Sequence, residues 1–288
     1  MPASPSRLTG SRGRATLLPP PEGPAGRPLR GHGRRALIAV ISDIHANLEA
    51  MLAVFDHLRQ RQVRRIFFLG DIIGYGPNPG EVIDYLKRFE FCLLGNHDLA
   101  VLKGAPEYFN AAAQRAVAWT RQQVSPFELK FKFLQNAEYI RRLEAWKFLL
   151  ELRPARRLGD LFFVHDTPAD PGSCGYVRRH EQARQIFAKD PAVKAFFIGH
   201  SHIAKVFTES GPQDPEYGRK YLFKEGRTIV NVGSVGQPRD KDPRACYVII
   251  DDEGYRFFRV EYDSSATAKK IRAAGLDPIL ADRLEKGM

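Results

Sequence analysis

The chain is predicted to fold as a layered α/β protein, and two patterns carry that prediction. The first is a short apolar run that breaks into a polar cluster. It recurs as ALIAVISDIH (36–45), IFFLGDIIGYG (66–76), FCLLGNHD (91–98), LFFVHDTP (161–168), AFFIGHSH (195–202) and IVNVGSVGQPRD (229–240). Runs rich in Ile, Val and Phe without alternation read as strands covered on both faces. The second pattern is helical periodicity between those runs, and strands alternating with helices argue for stacked layers of sheet and helix.

The elements follow in order. After the first run, NLEAMLAVFDHLRQR sets Leu48, Met51, Leu52, Phe55 and Leu58 at helical spacing, with Asn47 as N-cap. NPGEVIDYLKRF repeats the pattern with Val82, Ile83, Leu86 and Phe89. From about 108 to 152, AAAQRAVAWTRQQV and AEYIRRLEAWKFLLEL predict a helical excursion between the third and fourth strands rather than a separate domain. After residue 240, RACYVIIDD and YRFFRVEY predict an antiparallel pair joined near Gly254, and ATAKKIRAAGLDPILADRL predicts two short helices. One folded domain is expected over 36–288.

The formal charge of +11 is unevenly spread, since residues 1–35 hold seven arginines against the single acid Glu22, about +6. That Pro-, Gly-, Ser- and Arg-rich segment has almost nothing to bury. It reads as a disordered basic tail, a transit-like leader or residues ahead of the true start. The remaining 253 residues carry about +5, so nucleic-acid binding has no support beyond the tail. No apolar run approaches the roughly 18 residues of a membrane span, and ATLLPP is too short for a signal-peptide core. Cys92, Cys174 and Cys246 are far apart and follow no zinc spacing. Cys92 and Cys246 read as buried hydrophobes, which points to the cytoplasm and leaves any metal to nitrogen and oxygen ligands.

In open α/β sheets, ligands gather beyond the carboxyl ends of strands, where every polar cluster here falls. Asp43, His45, Asp71, Asn96, His97, Asp98, His165, Asp166, His200 and His202 would converge there, including five of the eight histidines. His32, His57 and His180 lack such a setting and read as structural or solvated. Each motif alone is ordinary: GNHD can be a turn, GD after a strand a cap, HSH two surface imidazoles. In extended chain, His200 and His202 would point the same way about 7 Å apart, either onto one ion or onto two neighbours. Jointly, imidazoles and carboxylates without a thiolate suit Mn, Fe, Zn, Ni or Co. Seven strong candidates exceed the three or four ligands of one tetrahedral ion. Two ions about 3.5–4 Å apart, sharing a carboxylate, would use them all and suit in-line displacement at phosphorus.

The ordered series DIH, GDIIGYG, GNHD, VH and GHSH resembles the calcineurin-like metallophosphoesterase superfamily. The likeness is greatest to its bacterial and archaeal stand-alone phosphoesterases and runs from 37 to about 262, including NVGSVGQPRDKDPRACYVIID. It implies an αββα sandwich of two mixed sheets flanked by helices, with the metal site at the strand C-terminal ends. It implies two divalent metal ions, manganese foremost. Asp43, His45 and His202 would bind one, Asn96, His165 and His200 the other, and Asp71 both. His97 would face the substrate phosphate, stabilising charge or protonating the leaving oxygen, with Asp98 orienting and charging it. Tyr75, Asn78 and Arg239 fall where substrate would approach, a salt bridge being the alternative for Arg239.

One departure stands out. Relatives usually carry a small residue after the fourth-motif histidine, as in HGSP or HASP, where this chain has HDTP. Asp166 would turn away, hydrogen-bond a ligand histidine, or repel an anionic substrate. The expected activity is hydrolysis of phosphate mono- or diesters, nucleotides included, by a hydroxide bridging two metals. The alternatives are a non-catalytic metal-binding scaffold of the same fold or a phosphoprotein phosphatase. Every expected ligand is present, and the eukaryotic phosphatase patterns GDYVDRG and GNHE are not.

Overall fold

Hydrophobic runs at the predicted places become the inner strands of two six-stranded mixed sheets. The computed structural model of the chain describes residues 37–87, 89, 91–129 and 137–288, and the basic segment 1–35 lies outside them. The first sheet comprises β1 (Ile38–Ile41), β2 (Arg65–Phe68), β3 (Phe91–Cys92), β9 (Tyr221–Leu222), β11 (Ala245–Ile250) and β12 (Gly254–Val260), ordered β3-β2-β1-β11-β12-β9. The second comprises β4 (Ala155–Leu158), β5 (Leu161–Val164), β6 (Ala195–Ile198), β7 (Lys205–Thr208), β8 (Gly211–Gln213) and β10 (Thr228–Asn231), ordered β4-β5-β6-β10-β7-β8. β1, β2 and β3 run parallel, as do β5, β6 and β10, so in each trio the carboxyl ends share one edge.

Alternation along β1 shows why its sequence is apolar throughout. Ile38 and Val40 point between the sheets with Phe67, Phe163, Phe197 and Val230. Ala39 and Ile41 face the opposite way, against α1 (Leu48–Gln60), α2 (Pro79–Leu86) and α5 (Ala137–Glu151). α6 (His180–Lys189) covers the outer face of the second sheet through Ala183, Ile186 and Phe187. Phe163 and Phe197, fully buried and stacked at 5.2 Å, bridge neighbouring strands at the centre, and each such ring contributes roughly 1.5–3 kcal/mol by burial.

The helical excursion is observed as α4 (Ala111–Val124) and α5, and the chain ends in α7 (Ser264–Ala273) and α8 (Pro278–Lys286). Two features differ from expectation. The stretch after GNHD is a helix, α3 (Asn96–Lys103), and β4, β7, β8 and β9 were not anticipated. Of the histidines set aside, His57 contacts the Tyr247 hydroxyl at 2.6 Å and His180 opens α6.

Asn47 caps α1 and also ties distant segments together. Its Oδ1 accepts from the Ala50 amide at 3.1 Å and its Nδ2 donates to the Gly236 carbonyl at 2.8 Å. Because the second bond is buried, Asn47→Ala is expected to cost about 2–3 kcal/mol, a lost cap plus a stranded carbonyl. Urea unfolding measures it; a loss of about 1 kcal/mol or less, what the cap alone accounts for, would mean the Gly236 contact contributes nothing.

Candidate metal centre

Asp43 and His45 follow β1, Asp71 follows β2, Asn96 follows β3, His165 follows β5, and His200 and His202 follow β6. Backbone bonds strap these loops to one another. The Asp43 amide donates to Gly70 O (3.0 Å), His45 to Asp71 O (2.9 Å), Gly199 to His165 O (2.9 Å) and Gly236 to Asp43 O (2.8 Å). Asp43, His45, Asp71, His200 and His202 all have φ between 50° and 66°. That left-handed backbone costs about 1–2 kcal/mol per side-chain-bearing residue and persists where the surrounding structure holds it, above all at functional sites. It also corrects the extended reading of HSH: the left-handed turns send His200 and His202 into different groups.

The first group is Asp43, His45, Asp71 and His202; the second is Asp71, His165 and His200, each offering ligand-type atoms within 4.8 Å of one another. Asp71 belongs to both. Its Oδ2 lies 3.5 Å from His45 Nε2 and 3.3 Å from His165 Nε2. Asn96 joins the second group, its Oδ1 being 3.0 Å from His165 Nε2. The six histidines and aspartates are at most 6% exposed.

The proton positions test whether this set fits a cation. His45 Nδ1 is 3.2 Å from the Ile73 carbonyl and His202 Nδ1 is 2.6 Å from the Gln237 carbonyl. A carbonyl only accepts, so each Nδ1 carries the proton and each Nε2 presents a lone pair. Those two Nε2 atoms face each other at 3.1 Å, and Asp43 Oδ1, buried and without a hydrogen-bond partner, lies 3.3 Å from His202 Nε2. Electron pairs converging without a proton between them are what a bound cation satisfies, and nitrogen with oxygen suits a borderline divalent ion. His200 Nε2 likewise donates to the Cys174 carbonyl at 3.1 Å, leaving Nδ1 as its free donor atom.

Burial pushes His45 and His202 well below the usual imidazole range and His200 down to about 3, so all three are neutral at pH 7. His165 differs: burial opposes its charge, but the Asp71 carboxylate overrides this and raises it to about 10. Asp71, which burial alone would raise, is held well below the carboxylate range by His165 and His97. Burial lifts Asp43 to about 7, with Asp71 adding to the rise against the opposing pull of His165. Asp43 and His202 are therefore neighbours rather than an ion pair, each pushed toward its neutral form.

His97 packs between Tyr75 and Phe109, at centroid distances of 4.4 and 4.8 Å, and edge-on to His45 at 4.9 Å. Its Nδ1 is buried without a hydrogen-bond partner, and burial lowers its pKa to about 4. Asp98 corrects the expectation that it orients His97. Its carboxylate accepts from the amides of Gly95 (3.0 Å), Ile72 (3.0 Å) and Ile73 (3.2 Å). As the third residue of α3, it lies within reach of the free amides at the helix start. Asp71 performs part of the expected task, its Oδ1 accepting from the His97 amide at 2.8 Å.

Tyr75 lies against His45 at 4.6 Å, and the Arg239 guanidinium sits 5.6 Å from the Tyr75 ring centre. Arg239 donates to Gln237 Oε1 at 2.7 Å, and among the described residues no carboxylate pairs with it, so the salt-bridge alternative is not found. Asn78 occupies the N-cap position of α2 and donates to Glu81 at 3.0 Å. Asp166 turns into its own loop, accepting from the amides of Gly172 (3.1 Å) and Cys174 (2.6 Å). Sequence reasoning missed the carbonyls of Ile73, Cys174 and Gln237, which carry no residue-type signal. It also missed Tyr176, stacked on His200 at 4.0 Å.

Fold and site define a metallophosphoesterase, and the comparisons agree. Residues 37–254 match the calcineurin-like phosphoesterase superfamily domain, and the chain belongs to that family. The family is metal-dependent and acts on phosphate esters, and the two buried groups here could hold metal ions. The chain is 35% identical to an uncharacterized protein of Methanocaldococcus jannaschii over 258 residues, covering 88% of this chain and 99% of that one. It is similar to a metallophosphoesterase from Sphaerobacter thermophilus, with 33% identity, a TM-score of 0.74, and coverage of 88% and 100% of the two chains. A hypothetical protein from Pyrococcus horikoshii shares the fold at 18% identity and a TM-score of 0.60, over 88% of this chain and 98% of that one. Among the described residues no helix is long and apolar enough to cross a membrane.

Proposed function

We propose that the chain hydrolyses phosphate esters with two divalent ions. Asp43, His45, Asp71 and His202 would hold one, and Asp71, Asn96, His165 and His200 the other. The observation that carries this reading is the membership of Asp71 in both buried groups. Held there, two such ions would supply a water nucleophile near neutral pH and positive charge for the phosphoryl oxygens. Manganese is the favoured ion on the family resemblance, and Fe, Ni, Co and Zn suit the same mixed imidazole and carboxylate donor set.

The protein's own part is positioning and charge. His97 is neutral at pH 7, since burial lowers its pKa to about 4. It therefore serves as a hydrogen-bond donor to a phosphoryl or leaving-group oxygen rather than as a standing cation. Arg239 supplies the fixed positive charge beside Tyr75, placed to meet the anionic end of a mono- or diester, nucleotides included. Its guanidinium donates to the neutral Gln237 Oε1 and lies over the Tyr75 ring, and among the described residues no carboxylate neutralises it, which supports that role. The free Cys92, Cys174 and Cys246 suit a reducing compartment such as the cytoplasm.

The test is a panel of aryl phosphate monoesters and diesters assayed with Mn, Ni, Co, Fe and Zn. Turnover that requires one of these ions is expected; metal uptake without turnover on any ester would favour the scaffold reading. His97→Ala separates chemistry from assembly. It should lower kcat by about a hundredfold to a thousandfold while bound metal, counted by elemental analysis, stays at the wild-type level. Proportionate loss of both would refute the assigned role.

A further inference from the structure

We infer that Asp166 is a positioning residue, anchoring the loop that fixes His200 and so governing the second of the two metal positions. Both its carboxylate oxygens accept from the Gly172 amide at 3.1 Å, and Oδ2 also accepts from the Cys174 amide at 2.6 Å. Those bonds hold residues 167–174 in a closed turn whose Cys174 has φ of 62°, an unusual backbone for a side-chain-bearing residue. The same Cys174 offers its carbonyl to His200 Nε2 at 3.1 Å. That bond places the ring proton on Nε2 and frees Nδ1 for the group formed with Asp71 and His165.

Two residues further on, Tyr176 lies flat on His200 at 4.0 Å and 19°, and the Arg178 guanidinium sits 3.9 Å from the Tyr176 ring centre. The loop thus fixes the tautomer of His200 from one side and covers its face from another. Among the described residues, this loop orients no ligand of the first group. His45 and His202 take their orienting carbonyls from Ile73 and Gln237, on other loops. A small residue in place of Asp166 could not hold these amides, so this chain's departure from the usual HGSP pattern carries a defined task.

The role rests on the two-ion reading and is tested by metal stoichiometry. Wild-type protein titrated with Mn(II) should take up two ions per chain and give the exchange-coupled signal of a manganese pair in electron paramagnetic resonance. Asp166→Ala should keep one tight ion, weaken the other by about ten- to a hundredfold, and replace the coupled signal with that of an isolated ion. Asp166→Asn, which preserves size, should lie between and supplies the readout if the alanine variant fails to fold by circular dichroism. Two ions bound by the variants with wild-type affinity, or equal weakening of both, would overturn the role. Fewer than two ions on the wild-type protein would instead overturn the two-ion reading, and this role with it.

Discussion

Replacing Asp71 by asparagine is expected to lower metal-dependent turnover by on the order of a thousandfold or more, well beyond the roughly 10–100-fold cost of an outer-sphere partner. The reason is that one carboxylate serves both buried groups. Its Oδ2 stands 3.3 Å from His165 and 3.5 Å from His45, while Oδ1 accepts from the His97 amide. An amide keeps the size and one acceptor oxygen but removes the negative charge between two proposed cations. It also strips His165 of the neighbour that raises it to about 10, so this imidazole falls back toward neutrality. Asp43 loses the like charge of Asp71 but also the larger, opposing pull of a charged His165, so it gains no net drive to ionise and the first position is weakened as well. Elemental analysis should therefore find fewer than two ions per chain, with kcat on an aryl phosphate near background. A variant that keeps both ions and turns over within tenfold of wild type would mean that the two positions do not share Asp71.

Much of this site is legible in the sequence because its ligands are side chains at the ends of buried strands. The six apolar runs became β1, β2, β3, β5, β6 and β10, and the polar residue types after them name their own chemistry. What escaped has physical causes. β4 (ARRL) and β8 (GPQ) are the edges of the second sheet and only partly buried, so they show neither a continuous apolar run nor alternation. β9 is a two-residue edge of the first sheet. α3 buries His97 and Asp98 beside Ala100 and Val101, so its inward face is half polar and the helical stripe is masked. The left-handed φ values of Asp43, His45, Asp71, His200 and His202 are held by loop-to-loop bonds; Asp and His are enriched in this region, but that preference is too weak to announce which of them adopts it. The role of Asp98 went astray for a related reason: sequence proximity to His97 says nothing about the two amides of Ile72 and Ile73 arriving from another loop, which join Gly95 at the helix start in claiming its carboxylate.

Gly95→Ala should damage stability and the site together. Its φ of −94° and ψ of 169° are open to alanine, so backbone preference is not the obstacle. Space is: an added Cβ would fall 2.1 Å from the Asp71 amide nitrogen, 2.1 Å from Asp71 Oδ1 and 2.8 Å from Asp71 Cα. Two of those atoms are backbone, and the third is the carboxylate oxygen that holds the His97 amide. Relief requires separating the loop after β2 from the start of α3, which are also joined by Asp98 through Gly95, Ile72 and Ile73. Overpacking of this kind costs about 1–3 kcal/mol or more. Here the displaced atoms are Asp71 and, across the gap, Asn96 and His97, so stability and chemistry should fall together. The expected result is a melting temperature lowered by at least about 2 °C, loss of bound manganese and loss of turnover. An unchanged melting temperature with full metal content would show that the loops can part without disturbing the carboxylate. The close contact would then have no hold on the site. A lower melting temperature with metal retained would break the link in the other direction, leaving Gly95 to packing alone.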